Sequence, residues 1–224
     1  MKLGALLDWD GVVIDSSRQH EESWALLAAE LGKSLPRDHF LRGFGMKNQV
    51  IIPEILGWTR DAEEIHRYSL RKEELYRDIV RERGIEPLPG VVSLLRMLSE
   101  HGVPCAVASS THRENIETIF DVIGVREYFQ ALVTAEDVAH GKPDPEVFLK
   151  SAAKIGRDPR HCVVFEDAHV GIEAGLAAGA KVIAVATTNP IESLGQADLA
   201  VASLQDVTWP LFRGLFRGLF WRPH

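Results

Sequence analysis

The sequence predicts an α/β fold: a doubly wound, parallel-sheet (Rossmann-like) core carrying an inserted α-helical domain. Three observations carry this reading. After Gly90, continuous apolar runs of strand length alternate with helical patterns, as expected of a parallel sheet covered on both faces. Between Ser17 and Arg83 the spacing is helical throughout, with no strand-like run. The chain has 224 residues, which at ~150 residues per domain is about one and a half domains.

The elements follow in order. Leu3-Gly4-Ala5-Leu6-Leu7 is a buried strand that stops at the charged turn Asp8-Trp9-Asp10-Gly11. Trp24, Leu27, Ala28 and Leu31 share one helical face that ends at Gly32. Ile51, Ile52, Ile55 and Leu56 form a second apolar face, and Ile65, Tyr68, Leu75, Ile79 and Val80 mark a longer charged helix ending near Gly84. The breaker cluster Glu86-Pro87-Leu88-Pro89-Gly90 returns the chain to the core. The expected partition is a core of residues 1–15 and 88–205, a helical insert of 16–87, and a tail of 206–224. Within the core, helices over 91–100, 114–122, 145–155 and 170–178 separate strands at Val103–Ala108, Ala131–Val133, Cys162–Phe165, Lys181–Val185 and Asp198–Val201.

Composition narrows the function. With 46% hydrophobic and 25% charged residues the chain is neither disordered nor a disulfide scaffold. A net charge of −7 argues against nucleic acid or an anionic membrane as partner. Cys105 and Cys162 lie in apolar runs and read as reduced core thiols, without zinc-ligand spacing to the nearby histidines. The short run before Asp8 is no signal-peptide core, and no run reaches the ~20 apolar residues of a membrane span. A cytoplasmic location is expected.

Ligands of open parallel sheets bind beyond the carboxyl ends of the strands. There the sequence places Asp8 and Asp10 after the first strand, Ser109-Ser110-Thr111 after the second, Lys142 after the third and Glu166-Asp167 after the fourth. Several carboxylates cannot stay ionised together without a cation. Oxygen-only donors of this charge suit a hard ion, Mg²⁺ first. Mg²⁺ shares its shell with substrate phosphate, and the lysine and the hydroxyls of Ser109 and Ser110 suit the other phosphoryl oxygens. The chemistry predicted is phosphoryl transfer to or from a small phosphorylated metabolite. Asp8, at the strand end, can attack phosphorus. Asp10, past the bend, can protonate the leaving oxygen and then take a proton from water. Taken singly, each element has a plainer reading: a turn, a helix cap (Ser109 or Ser110, or rather Thr111 if the next helix starts at His112), a solvated lysine, an acidic helix start. Four of them at four strand ends reverse that balance. The Asp-x-Asp-Gly turn fails as a calcium loop, and no P-loop, nucleophile elbow or dinucleotide fingerprint is present.

In this arrangement the chain resembles the haloacid dehalogenase superfamily, subfamily I, and within it the β-phosphoglucomutase-like phosphatases, up to about residue 205. The motifs are Asp8-Trp9-Asp10-Gly11-Val12-Val13-Ile14-Asp15-Ser16, Val107-Ala108-Ser109-Ser110, Lys142-Pro143-Asp144-Pro145, and Glu166-Asp167 followed by Gly171-Ile172. The resemblance implies Asp8 as nucleophile, Asp10 as acid/base, and Ser109 and Lys142 as holders of the phosphoryl group. It implies Mg²⁺ bound by the Asp8 side chain, the Asp10 carbonyl and Asp167, with Glu166 close by. It implies that the insert is a mobile cap, hinged near Asp15-Ser16 and Pro87–Gly90, that excludes water and selects the substrate.

His20 matches a cap-entry histidine and Lys72 a cap lysine that faces the site; the alternative for each is an exposed helix residue. The mutases grip a second phosphate with a Gly-x-Ser-Arg loop. Here that stretch is Arg42-Gly43-Phe44-Gly45-Met46-Lys47-Asn48, and only Arg42 and Lys47 could substitute. This favours a phosphatase acting on a sugar phosphate or other small monoester over a sugar phosphate mutase. Phosphonoacetaldehyde hydrolases and dehalogenases lack the second aspartate that Asp10 supplies. A non-catalytic binding protein on this fold has no need of all these groups. The repeat Leu211-Phe212-Arg213-Gly214-Leu215-Phe216-Arg217-Gly218-Leu219-Phe220-Trp221 lies outside the resemblance. It would align Phe212, Phe216 and Phe220 either against the core sheet or as an exposed strip over 211–221 that contacts a partner.

Overall fold

A computed structural model describes residues 2–43 and 46–216. It divides into two compact units, one Ser16–Ile85 and the other built from the segments on either side of it. In chain order the elements begin with β1 (Gly4–Leu7), then α1 (Ser17–Leu31), α2 (His39–Gly43), α3 (Asn48–Val50) and α4 (Ala62–Arg83). They continue with α5 (Val91–Glu100), β2 (Cys105–Ala108), α6 (Arg113–Ile123), β3 (Phe129–Val133), α7 (Glu146–Lys154) and β4 (Cys162–Glu166). The last are α8 (His169–Ala177), β5 (Lys181–Val185), β6 (Leu199–Val201) and α9 (Trp209–Gly214).

The six strands form one parallel sheet in the order β3-β2-β1-β4-β5-β6. All residues of β1, β2 and β4 are buried, which is why they read as unbroken apolar runs. The order reverses at β1, where the chain first builds toward β3 and then returns to build toward β6. That switch point opens a crevice at the carboxyl ends of β1 and β4. On one face, Leu6, Ala106, Val164 and Val182 pack with Val147 and Phe148 of α7 and Ile172 of α8. On the other, Trp9 meets Phe120 of α6 edge-on at 5.0 Å, and Phe165 stacks on Phe212 of α9 at 6.3 Å. Both cysteines are buried thiols, and burial pushes each up to about 12.

The tail takes the first of its two expected positions. Phe212 and Phe216 are fully buried, so over 211–216 the aromatic row faces the sheet rather than forming an exposed strip. Phe165 offers an apolar seat there, and burying an aromatic ring is worth more than leaving it in water. Phe220 and the rest of the repeat lie outside the described residues. Phe212→Ala is expected to cost about 3–5 kcal/mol in a urea melt. A cost within ~0.5 kcal/mol would mean that α9 does not belong to the core.

In the unit Ser16–Ile85, α1 and α4 pack around Trp24, Leu27, Ile51, Ile52, Tyr68 and Leu75. Asp61 caps α4 by accepting the Glu64 N–H at 2.9 Å. The second apolar face is a π-helical turn, Ile51–Ile55, with Leu56 N–H donating to the Ile51 carbonyl at 2.9 Å. Pro53 has no N–H to give an α-helical ladder, which accounts for the wider turn.

Candidate active site

Asp8 follows β1 directly, and its N–H donates to the Phe165 carbonyl of β4 at 3.0 Å. The next residues turn sharply: the Val13 and Ile14 N–H groups donate to the Trp9 carbonyl at 2.8 and 3.1 Å, and Gly11 N–H donates to Ile14 at 2.7 Å. Gly11 has φ +79, and a methyl group built on it would lie 2.0 Å from the Asp167 carboxylate. Only glycine gives both the left-handed backbone and that clearance. The turn thus brings the first motif against the fourth.

Lys142 is the positive centre. Its ammonium lies 2.8 Å from Asp8 Oδ1 and 2.6 Å from Glu166 Oε1, with the lysine side chain 8% exposed and the glutamate 1%. Burial alone would lower the Lys142 pKa, but the Asp8 and Glu166 carboxylates outweigh it and hold the ammonium above its ordinary value. Glu166 also accepts the N–H groups of Asp167 and Ala168 at 3.0 and 3.1 Å through its other oxygen. Both its oxygens are therefore engaged, and Glu166 orients Lys142 and the start of α8. Gly171 makes room for it, since a Cβ there would fall 1.8 Å from Glu166 Oε1.

Asp8, Glu166 and Asp167 each present an oxygen within 4.8 Å of the others. Desolvation first, and then the neighbouring Asp8 charge, push Asp167 up to about 6. Glu166 is also raised, again first by burial. The set is all oxygen, anionic and short of positive charge, so it fits a hard divalent cation. The Asp10 carboxylate stands outside this set. Its Oδ2 accepts the Thr111 hydroxyl at 2.6 Å.

The register Leu7↔Val107 sets the end of β2 beside Asp8. Ser109 is buried and its hydroxyl accepts the Thr111 N–H at 3.0 Å, whereas Ser110 is exposed. Thr111 would cap α6 only if that helix began at His112; it begins at Arg113, and His112 holds the cap position without a side-chain capping bond. The loop after β5 was not anticipated at all. Thr188 donates to Asp167 Oδ2, Thr187 donates to the Gly11 carbonyl, and Asn189 Nδ2 donates to the Asp167 carbonyl at 3.0 Å. The strand-end rule, carried on to the fifth strand, points at these residues.

The helical unit holds its own polar cluster. Lys72 is 3% exposed, which overturns the reading of it as an exposed charge. Its ammonium donates to His20 Nδ1 at 2.6 Å and to Glu73 Oε1 at 3.0 Å, and lies 5.5 and 5.4 Å from the Trp24 and Tyr76 ring centroids. Asn48 Nδ2 donates to Glu73 Oε1 at 2.7 Å and to Ser69 Oγ at 3.1 Å. Burial, and then the Lys72 charge, push His20 down to about 3, so its ring is neutral and accepts. Lys47 is exposed before α3, and the exposed Arg42 pairs with Asp38 at 3.7 Å.

Known proteins share this architecture. A β-phosphoglucomutase structure from Clostridium difficile superposes with TM-score 0.82 at 25% identity, covering 98% of this chain and 99% of that one. Hexitol phosphatase A of Escherichia coli (strain K12) is 31% identical over 205 residues, 92% of this chain and 93% of its own. A chloroplastic 5-amino-6-(5-phospho-D-ribitylamino)uracil phosphatase of Arabidopsis thaliana is 38% identical over 209 residues, 92% of this chain. The chain spans only 56% of that relative's length. The profile of the haloacid dehalogenase-like hydrolases matches residues 4–179, and with that match across both units the chain belongs to this family.

Proposed function

We propose that the protein is a Mg²⁺-dependent phosphatase that hydrolyses a small phosphate monoester, a sugar phosphate or a related polyol phosphate, through an aspartyl phosphate on Asp8. The observation that carries this is Asp8 at the sheet's switch point, 2.8 Å from a buried, charged Lys142. One Asp8 oxygen attacks phosphorus, and the ester P–O bond breaks as the Asp8 O–P bond forms. Asp10 gives its proton to the departing alkoxide, then takes a proton from the water that cleaves the aspartyl phosphate. Lys142 and Ser109 hold phosphoryl oxygens. Asp8, Asp167 and the Asp10 carbonyl would hold the cation, with Glu166 beside them. When bound it neutralises charge on the transferring phosphoryl group. The helical unit serves as a cap that selects the alcohol part, with His20, Lys47 and Lys72 as its recognition residues and Ser110 as a further contact from the core. Arg42, engaged with Asp38, and the missing Ser-Arg pair favour hydrolysis over a mutase that grips a second phosphate.

Release of inorganic phosphate from a panel of phosphomonoesters tests the reading. No release from any ester in the presence of Mg²⁺ would sink it. The cation has a separate readout. Asp167 holds a proton below about pH 6 without metal, and metal must displace that proton. Mg²⁺ should therefore raise the Tm of chelator-stripped protein more at about pH 7.5 than at about pH 5. Equal rises at both would argue against these ligands.

A further inference from the structure

We infer that Thr111 is a positioning residue for Asp10, orienting the carboxyl group that protonates the leaving group. The inference rests on the phosphatase reading above. Thr111 is fixed by its own backbone: its N–H donates to Ser109 Oγ at 3.0 Å and its carbonyl accepts the Ala135 N–H at 3.3 Å. Its hydroxyl donates to Asp10 Oδ2 at 2.6 Å. Asp10 lies past the strand end, on the turn that includes Gly11, and Thr111 reaches it from the loop after the neighbouring strand β2. A short bond to one carboxyl oxygen restrains rotation of the carboxyl group. In the step concerned, the Asp8 O–P bond forms, the ester P–O bond breaks, and the Asp10 carboxyl proton moves to the ester oxygen to give the alcohol and the Asp10 carboxylate.

The test compares two esters by kcat/KM, which covers the steps through release of the leaving group. An alkyl phosphate such as β-glycerophosphate must have its leaving oxygen protonated, whereas p-nitrophenolate leaves without a proton. Thr111→Val is expected to lose about 10- to 100-fold on the alkyl ester and less than about threefold on p-nitrophenyl phosphate. Thr111→Ser, which keeps the hydroxyl, should stay within about threefold of wild type on both. Equal losses on the two esters would show a merely structural role and overturn the inference while leaving the phosphatase reading intact. So would a Val variant as active as wild type. Wild-type protein inactive on both esters, and on the wider panel, would overturn the phosphatase reading itself and the inference with it.

Discussion

Asp8→Asn is expected to lower phosphatase turnover by about 10⁴-fold or more, because the amide is not a nucleophile toward phosphorus and no other side chain replaces it at the strand end. The loss should fall on kcat for every ester, since the reacting atom itself is removed. Mass spectrometry of acid-quenched wild type should show a phosphoryl adduct on the peptide that contains Asp8, absent from the variant. The variant should remain folded: Lys142 keeps its 2.6 Å bond to Glu166, and one of three crowded carboxylates is gone. Turnover above about 1% of wild type would place the nucleophile elsewhere.

Lys142→Met carries the second large effect, on stability as well as rate. The ammonium lies between Asp8 and Glu166, and Glu166 is 1% exposed. Removing it leaves two carboxylates without their common counter-charge, a cost of about 3 kcal/mol at neutral pH when metal is absent. The sign with pH follows. Burial already raises Glu166, and the Lys142 charge opposes that rise; without the lysine Glu166 binds a proton more readily in the folded state, so the deficit is largest near neutrality and shrinks as the pH falls and Glu166 protonates. Divalent cation should restore part of it by supplying positive charge to the same cluster. Activity should fall at least ~100-fold, as expected for a lost charge stabiliser. Urea melts with and without chelator measure the first effect. A variant as stable as wild type in chelator at neutral pH would refute the pairing.

The sheet was legible because its strands are buried on both faces, so that Ala5–Leu7, Cys105–Ala108 and Cys162–Phe165 carry no polar residue to break the pattern. Where that condition fails, the reading shortens. β3 starts at Phe129, before the apolar run, because Gln130 is exposed; its Oε1 accepts the Cys105 N–H at 2.6 Å where the β2–β3 register shifts. The groups at the ends of four strands were legible because topology alone brings them together. The supporting hydroxyls were legible only in part. Thr111 stands with the strand-end groups in sequence, but its bond to Asp10 is shown only by the fold. Thr187 and Thr188 are ordinary loop residues in sequence, and only the fold shows that they reach Gly11 and Asp167. Glu73 was hidden for a different reason. It stands in Arg71-Lys72-Glu73-Glu74, a charged run that resembles a solvated helix face, yet Lys72 and Glu73 are buried together.

The strand that leads into Asp8 is made before the other five of the sheet and waits longest for its second neighbour. Ala5 pairs with Cys105 on one side and with Val163 on the other, so at about 5–20 residues per second the nascent strand waits many seconds for its second neighbour. During that wait the helical insert can collapse around Trp24 and Tyr68, whose partners are close in sequence. Joining β1 to β4 across the folded insert then adds little loop-closure entropy, because that cost grows only with the logarithm of length. Until then the edge of this apolar strand that β4 will cover is open to neighbouring chains. Synthesis halted before Glu166 is expected to yield a folded insert attached to an aggregation-prone remainder.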